Sequence, residues 1–159
     1  AQAQDMIIKL SDFLRYSLSN NEEKLTSLRD EIRNINRYLD IEKIRFGKRL
    51  TIAMRADESC FDLKLPGLIL QPLVENAVKY GVYESTEESV IEITCKCNST
   101  ALEVSIRNAF DPEFPYKRGE GIGLKNIRSR IRILYDRDDL VQIRKDPDHY
   151  EVRIIFPQP

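Results

Sequence analysis

Apolar residues recur at helical spacing in "DMIIKLSDFLRYSL", where Ile7, Leu10, Leu14 and Leu18 fall on one stripe. This helix opens on "AQAQ" without a capping residue, as expected of a helix entered part-way along its length. Polar "SNNEEK" interrupts the pattern at 19–24. A second helix then starts at Thr26 or Ser27, either of which can cap it, with Asp30 and Glu31 near its positive end. Leu28, Ile32, Ile35 and Leu39 form its apolar stripe and Gly47 ends it. From there the period changes to two, and segments 49–57, 89–98, 101–108, 139–146 and 150–156 read as strands. Asn98-Ser99-Thr100 and Asp146-Pro147-Asp148-His149 are short enough to join neighbouring strands as hairpins. Two more helices, 69–80 and 123–135, lie between strands. Hairpins imply mostly antiparallel pairing, and helices with one apolar stripe each must cover one face of the sheet. The pattern therefore predicts an α+β two-layer sandwich with a mixed, mostly antiparallel sheet and its helices on one side.

Composition narrows the classes without choosing one. The 159 residues are 42% hydrophobic and 32% charged, enough to bury one core beneath a well-solvated surface. A formal net charge of -1 gives no reason to expect a nucleic-acid partner. No apolar run approaches the roughly 18–20 residues that a spanning helix needs. Cys60, Cys95 and Cys97 are odd in number and lack CxxC spacing, so the expectation is buried thiols in a reducing compartment, neither a disulfide framework nor a zinc site.

Two stretches carry candidate chemistry. In "LILQPLVENAVKYG" the polar residues Glu75, Asn76 and Lys79 fall opposite the stripe of Leu70, Leu73, Val74 and Ala77 on a helical wheel. Pro72 suits the first turn of that helix. The bland reading is a solvated face on which Glu75 and Lys79 form an i,i+4 pair. In "RGEGIGLKNIRSRIRIL", Gly119, Gly121 and Gly123 precede a helix bearing Lys125, Arg128, Arg130 and Arg132. Glycines there allow backbone N–H groups to approach an anion, and the helix N-terminus adds partial positive charge. The bland reading of this stretch is a loop before an amphipathic helix. A basic helix used against a membrane or RNA is a further reading, opposed by the acidic residues elsewhere.

Taken together, "LQPLVENAVKYG" and "GEGIGLKNIRSRI" resemble the N-box and G-box of the GHKL (Bergerat) ATP-binding fold. With "LRDEIRNINRYLDIEKIRFGKRL" at 28–50 and "LSDFLRYSL" at 10–18, the chain resembles LytS-type sensor histidine kinases over nearly its whole length. The resemblance implies that residues 1–24 are the tail of a dimerisation helix and 25–159 an ATP-binding catalytic domain. It implies ATP and Mg2+ as cofactors, with Asn76 as the metal ligand, Glu75 as the catalytic base or polariser, and Lys79 against phosphate charge. Gly119, Gly121 and Gly123 would let a lid at 109–120 fold over the phosphates, with Leu124 also at the cofactor site. The implied reaction transfers the γ-phosphoryl group to a histidine upstream of residue 1. The implied partners are a response regulator and a second copy of the full-length protein, which would be membrane-anchored upstream with this part in the cytoplasm.

Three positions depart from the family pattern. Asn108 stands where the family has an adenine-binding aspartate, and no glycines follow it. Its amide could accept from an adenine amino group or turn to donate to a guanine carbonyl, which would soften ATP-over-GTP preference. Tyr80 stands where histidine is common. The single histidine, His149, falls at a turn. These departures support an alternative, a degenerate module that binds nucleotide weakly or not at all and relays signals through protein contacts. An anti-sigma-factor kinase of the same superfamily is opposed by the 7–18 helix and "YLDIEKIRF".

Overall fold

A computed structural model describes residues 2–19, 24–83, 86–109 and 121–159. Helix α1 (Gln2–Ser19) leads into a short strand β1 (Leu25–Ser27) and the long helix α2 (Leu28–Phe46). Ser27 caps α2, its hydroxyl oxygen accepting from the Asp30 N–H at 3.2 Å. Two more of the first-turn donors find carbonyls outside the helix, Leu28 N–H to Leu63 O and Arg29 N–H to Phe61 O, both at 2.9 Å. Gly47, at φ 56°, ends the helix in a conformation that side chains rarely adopt.

The strands β2 (Leu50–Ala56), β4 (Ser89–Cys97), β5 (Ala101–Ala109), β6 (Val141–Lys145) and β7 (His149–Pro157) form one sheet in the order β2-β4-β5-β7-β6. The pair β2–β4 is parallel and the other three pairs are antiparallel, so the sheet is mixed and mostly antiparallel. The two hairpins fall where the sequence places them. Asn98 closes the first, its side-chain oxygen accepting from Thr100 and Ala101 N–H groups at 2.9 Å. Unforeseen from the pattern is a two-stranded sheet of β1 with β3 (Lys64–Pro66). Three residues are too few for a period of two to register.

Strand alternation sends Ile91, Ile93, Cys95, Leu102, Val104, Ile106, Ile154 and Phe156 into one core. Helices α2, α3 (Gln71–Val78) and α4 (Ile122–Tyr135) bring Leu28, Ile35, Leu73, Val74, Leu124, Ile127 and Ile131 to the same core. The opposite sheet face carries ion pairs such as Arg107–Glu92 at 3.5 Å and Arg153–Glu103 at 3.6 Å. This is the expected two-layer α+β sandwich.

The cysteine expectation is corrected here. Cys60 and Cys97 are joined by a disulfide, while Cys95 is a free, buried thiol whose pKa burial pushes up to about 12. An odd count and missing CxxC spacing say nothing about two residues 37 apart. A short 3-10 turn (Glu58–Cys60) lies beside β4, tied to that strand by Asp57 N–H donating to Cys95 O at 3.2 Å.

Candidate functional site

The chain enters α3 through a turn at Leu68, where φ is 57° without a glycine to relieve it. Glu31 of α2 holds that turn: its carboxylate accepts from Leu68 N–H at 2.7 Å and Leu70 N–H at 3.1 Å. Arg130 of α4 adds a third tie, donating to Gly67 O at 2.9 Å. Because the turn occupies 67–70, α3 starts at Gln71, two residues later than the apolar pattern indicates. Its eight residues pass into a wider π-type turn at Lys79–Tyr83, an irregularity often found at functional sites.

One face of α3 meets a cavity of about 390 Å3, within the size range of small-ligand pockets. Leu73, Asn76, Ala77 and Tyr80 form one wall, Ile106 and Asn108 of β5 the floor, and Gly121, Leu124 and Arg128 of α4 the facing wall. Ile143 and Lys145 of β6, with Tyr150 and Val152 of β7, complete it. Gly121 is the N-cap of α4, so the positive end of a fourteen-residue helix opens on the cavity. At Gly123 an added Cβ would come within 3.8 Å of Asn76 Nδ2 and of Pro72, so α4 lies close against α3 there.

Of the residues singled out in the sequence, Asn76, Asn108, Gly121 and Leu124 therefore share one cavity, with Gly123 directly behind Asn76. Gly119, and the 109–120 lid beyond Ala109, lie outside the described residues. Glu75 and Lys79 are not among the cavity-lining residues. Lys79 is exposed, with its Nζ 5.1 Å from the Tyr80 ring centroid. Glu75 turns toward α2. Its Oε1 accepts from Gln71 Nε2 at 2.8 Å, and Gln71 Oε1 accepts in turn from Asn34 Nδ2 at 3.0 Å. The carboxylates of Glu75 and Glu42 also bear on Tyr38 of α2, whose phenol is pushed well above its ordinary value, first by burial and then by those charges. One residue of helix is 100° of rotation, enough to send neighbours Glu75 and Asn76 to different surroundings.

Asn108 is 3% exposed, and its Nδ2 donates to its neighbour Ala109 O at 2.7 Å. That bond uses one of the two N–H donors of the amide and orients the side chain, whose oxygen is an acceptor. Gly81 is needed beneath it, since an added Cβ would lie 3.3 Å from Asn108 Cβ and 3.2 Å from the buried Ser89 hydroxyl. Sequence reading missed the cavity roles of Lys145 and Tyr150. No local pattern marks them, because only strand register brings β6 and β7 alongside Asn108.

In this two-layer α+β fold the cavity thus lies between two helices and a mostly antiparallel sheet, with Asn76 on one wall, Asn108 on the floor and a helix N-terminus on the facing wall. Solved structures bear out that fold. The catalytic domain of histidine kinase ThkA superposes with a TM-score of 0.55 at 21% identity, covering 82% of this chain and 94% of that one. Histidine kinase AdeS of Acinetobacter baumannii gives 0.61 at 11% identity, covering 95% and 76%.

By sequence, this chain is similar to sensor histidine kinases over most of its length. Residues 1–50 match the family described as histidine kinase. Sensor histidine kinase BtsS of Escherichia coli K12 is 31% identical over 149 residues, 94% of this chain and 26% of its own length. Sensor protein LytS of Oceanobacillus iheyensis is 27% identical over 98% of this chain and 29% of its own length. The chain thus spans about a quarter of the length of these relatives.

Proposed function

We propose that this chain is the ATP-binding catalytic part of a two-component sensor histidine kinase, with residues 1–24 the tail of its dimerisation helix and 25–159 the catalytic domain. The observation that carries the reading is the meeting of Asn76, Asn108 and the α4 N-terminus in one cavity. Asn108 would accept from the adenine amino group. Asn76 would hold Mg2+ through its amide oxygen, which suits a hard cation that takes most of its ligands from phosphate and water. Gly121 and Gly123 would offer backbone N–H groups to the phosphates, with Leu124 forming the cavity wall beside them, Gly119 extending that lid and Lys79 adding charge at the rim. Bound Mg·ATP supplies the phosphoryl group; the protein's share is positioning and charge neutralisation. Glu75 faces α2, so it would serve as base or polariser for a histidine approaching from that side of α3.

The phosphoaccepting histidine would lie outside these residues, since His149 sits in the sheet at the start of β7, beside Asp148. A response regulator and a second copy of the full-length protein would be its partners, with this portion cytoplasmic and an anchor upstream. No helix among the described residues is long and apolar enough to cross a membrane. Calorimetric titration with a non-hydrolysable ATP analogue, with and without Mg2+, tests the reading. Magnesium-dependent binding is expected, weakened in Asn76→Asp with a stability change of about 0.5 kcal/mol or less. Absence of binding under both conditions would favour the degenerate relay module instead.

A further inference from the structure

The line of side chains on the cavity floor continues past Asn108. Asn108 of β5 stands opposite Tyr150 of β7, and Tyr150 stands opposite Lys145 of β6. All three line the cavity. Directly opposed residues on one sheet face have Cβ atoms about 4.5–5.5 Å apart, so the three form a continuous row. Lys145 Nζ lies 5.8 Å from the Tyr150 ring centroid, within cation–π range. The ammonium is thereby held at the cavity rim beside a flat aromatic surface.

Resting on the nucleotide reading above, we propose that Tyr150 and Lys145 recognise the base: Tyr150 supplies a flat contact surface and Lys145 donates to a ring nitrogen of a 6-aminopurine whose amino group is taken by Asn108. The chemistry of the row matches that ligand. One N–H of the Asn108 amide is bonded to Ala109 O, which orients the side chain, and its oxygen is an acceptor. A lysine ammonium only donates. A 6-aminopurine shows a donor, its amino group, beside ring nitrogens that accept. Acceptor and donor along the row thus meet donor and acceptor along the base edge. A 6-oxopurine would set its carbonyl against the Asn108 oxygen.

Lys145→Met tests this on the chain itself, because Lys145 is exposed and methionine keeps much of the stem. Wild type and variant are titrated with ATP, adenosine and inorganic tripolyphosphate, following binding by calorimetry. The expected result is a loss of about tenfold for ATP and for adenosine alike, the scale of one hydrogen bond to a charged group, with tripolyphosphate unchanged. Tyr150→Leu, which removes the ring, should bind ATP more weakly than Tyr150→Phe, which keeps it. A loss confined to ATP and tripolyphosphate would assign Lys145 to the phosphates and overturn the proposal. Equal ATP affinity in wild type and Lys145→Met would overturn it while leaving the nucleotide site standing. Failure of wild type to bind ATP or adenosine would overturn both.

Discussion

Asn108 donates to the Ala109 carbonyl, and that bond opposes the amide rotation that a guanine carbonyl would demand. Preference for ATP over GTP is therefore expected to persist, despite the sequence-based expectation of softer discrimination. Competitive binding of the two nucleotides checks it. Asn108→Asp removes the donor and sets a buried carboxylate against a carbonyl oxygen, which should destabilise the protein by about 1–3 kcal/mol in urea unfolding. Glu42 offers a second residue-scale prediction. It accepts from the Tyr83 hydroxyl at 3.4 Å, yet burial raises its pKa above the ordinary 4.5, against the opposing pull of Arg45, Tyr83 and Tyr38. A carboxyl whose folded pKa is raised stabilises the fold below its unfolded pKa, and that contribution is lost as pH rises through the folded value. Glu42→Gln does not titrate. Its melting temperature relative to wild type should therefore climb as pH rises from about 4.5; a constant difference across that range would refute the buried-acid assignment.

At the scale of elements, α2 organises the approach to α3. Glu31 is fully buried, and its two bonds fix the strained Leu68 turn and the first residues before α3. Burial raises its pKa while those same backbone donors, and Arg130, pull it down. Glu31→Ala should cost about 1–3 kcal/mol for each backbone donor it strips. Glu31→Gln keeps one acceptor and should recover part of the loss, as read by chemical denaturation. The side-chain chain Asn34–Gln71–Glu75 runs along the same helix pair, so α2 also orients the carboxylate proposed as base. Both ties cross between elements, which is why the apolar stripes of α2 and α3 give no hint of them.

Across the whole molecule, α1 is the unfinished surface. Phe13 is buried against α2, its ring 5.8 Å from that of Tyr38, but Ile7 is 66% exposed and Leu18 87%, with Leu10 and Leu14 also exposed. An apolar stripe of this kind is an association surface, and self-association at high protein concentration is expected in sedimentation. Ile7→Lys combined with Leu14→Lys should abolish it without lowering the melting temperature, whereas a wild-type monomer at high concentration would refute it. What the sequence by itself determined is local: the two periodicities, a helix start at Thr26 or Ser27, the Gly47 stop, the Asn98 hairpin and the paired motifs around Asn76 and Gly121. Each depends on residues within about four positions, where propensity and hydrogen-bonding reach are set by the chain alone. The tertiary structure alone decided that Glu75 and Asn76 serve different faces, that Cys60 meets Cys97, and that Tyr150 and Lys145 stand beside Asn108. Those outcomes depend on how far α3 is rotated against its neighbours and on the register of strands distant in sequence. Both are settled by burying the combined apolar faces of the sheet and helices, and by no single segment.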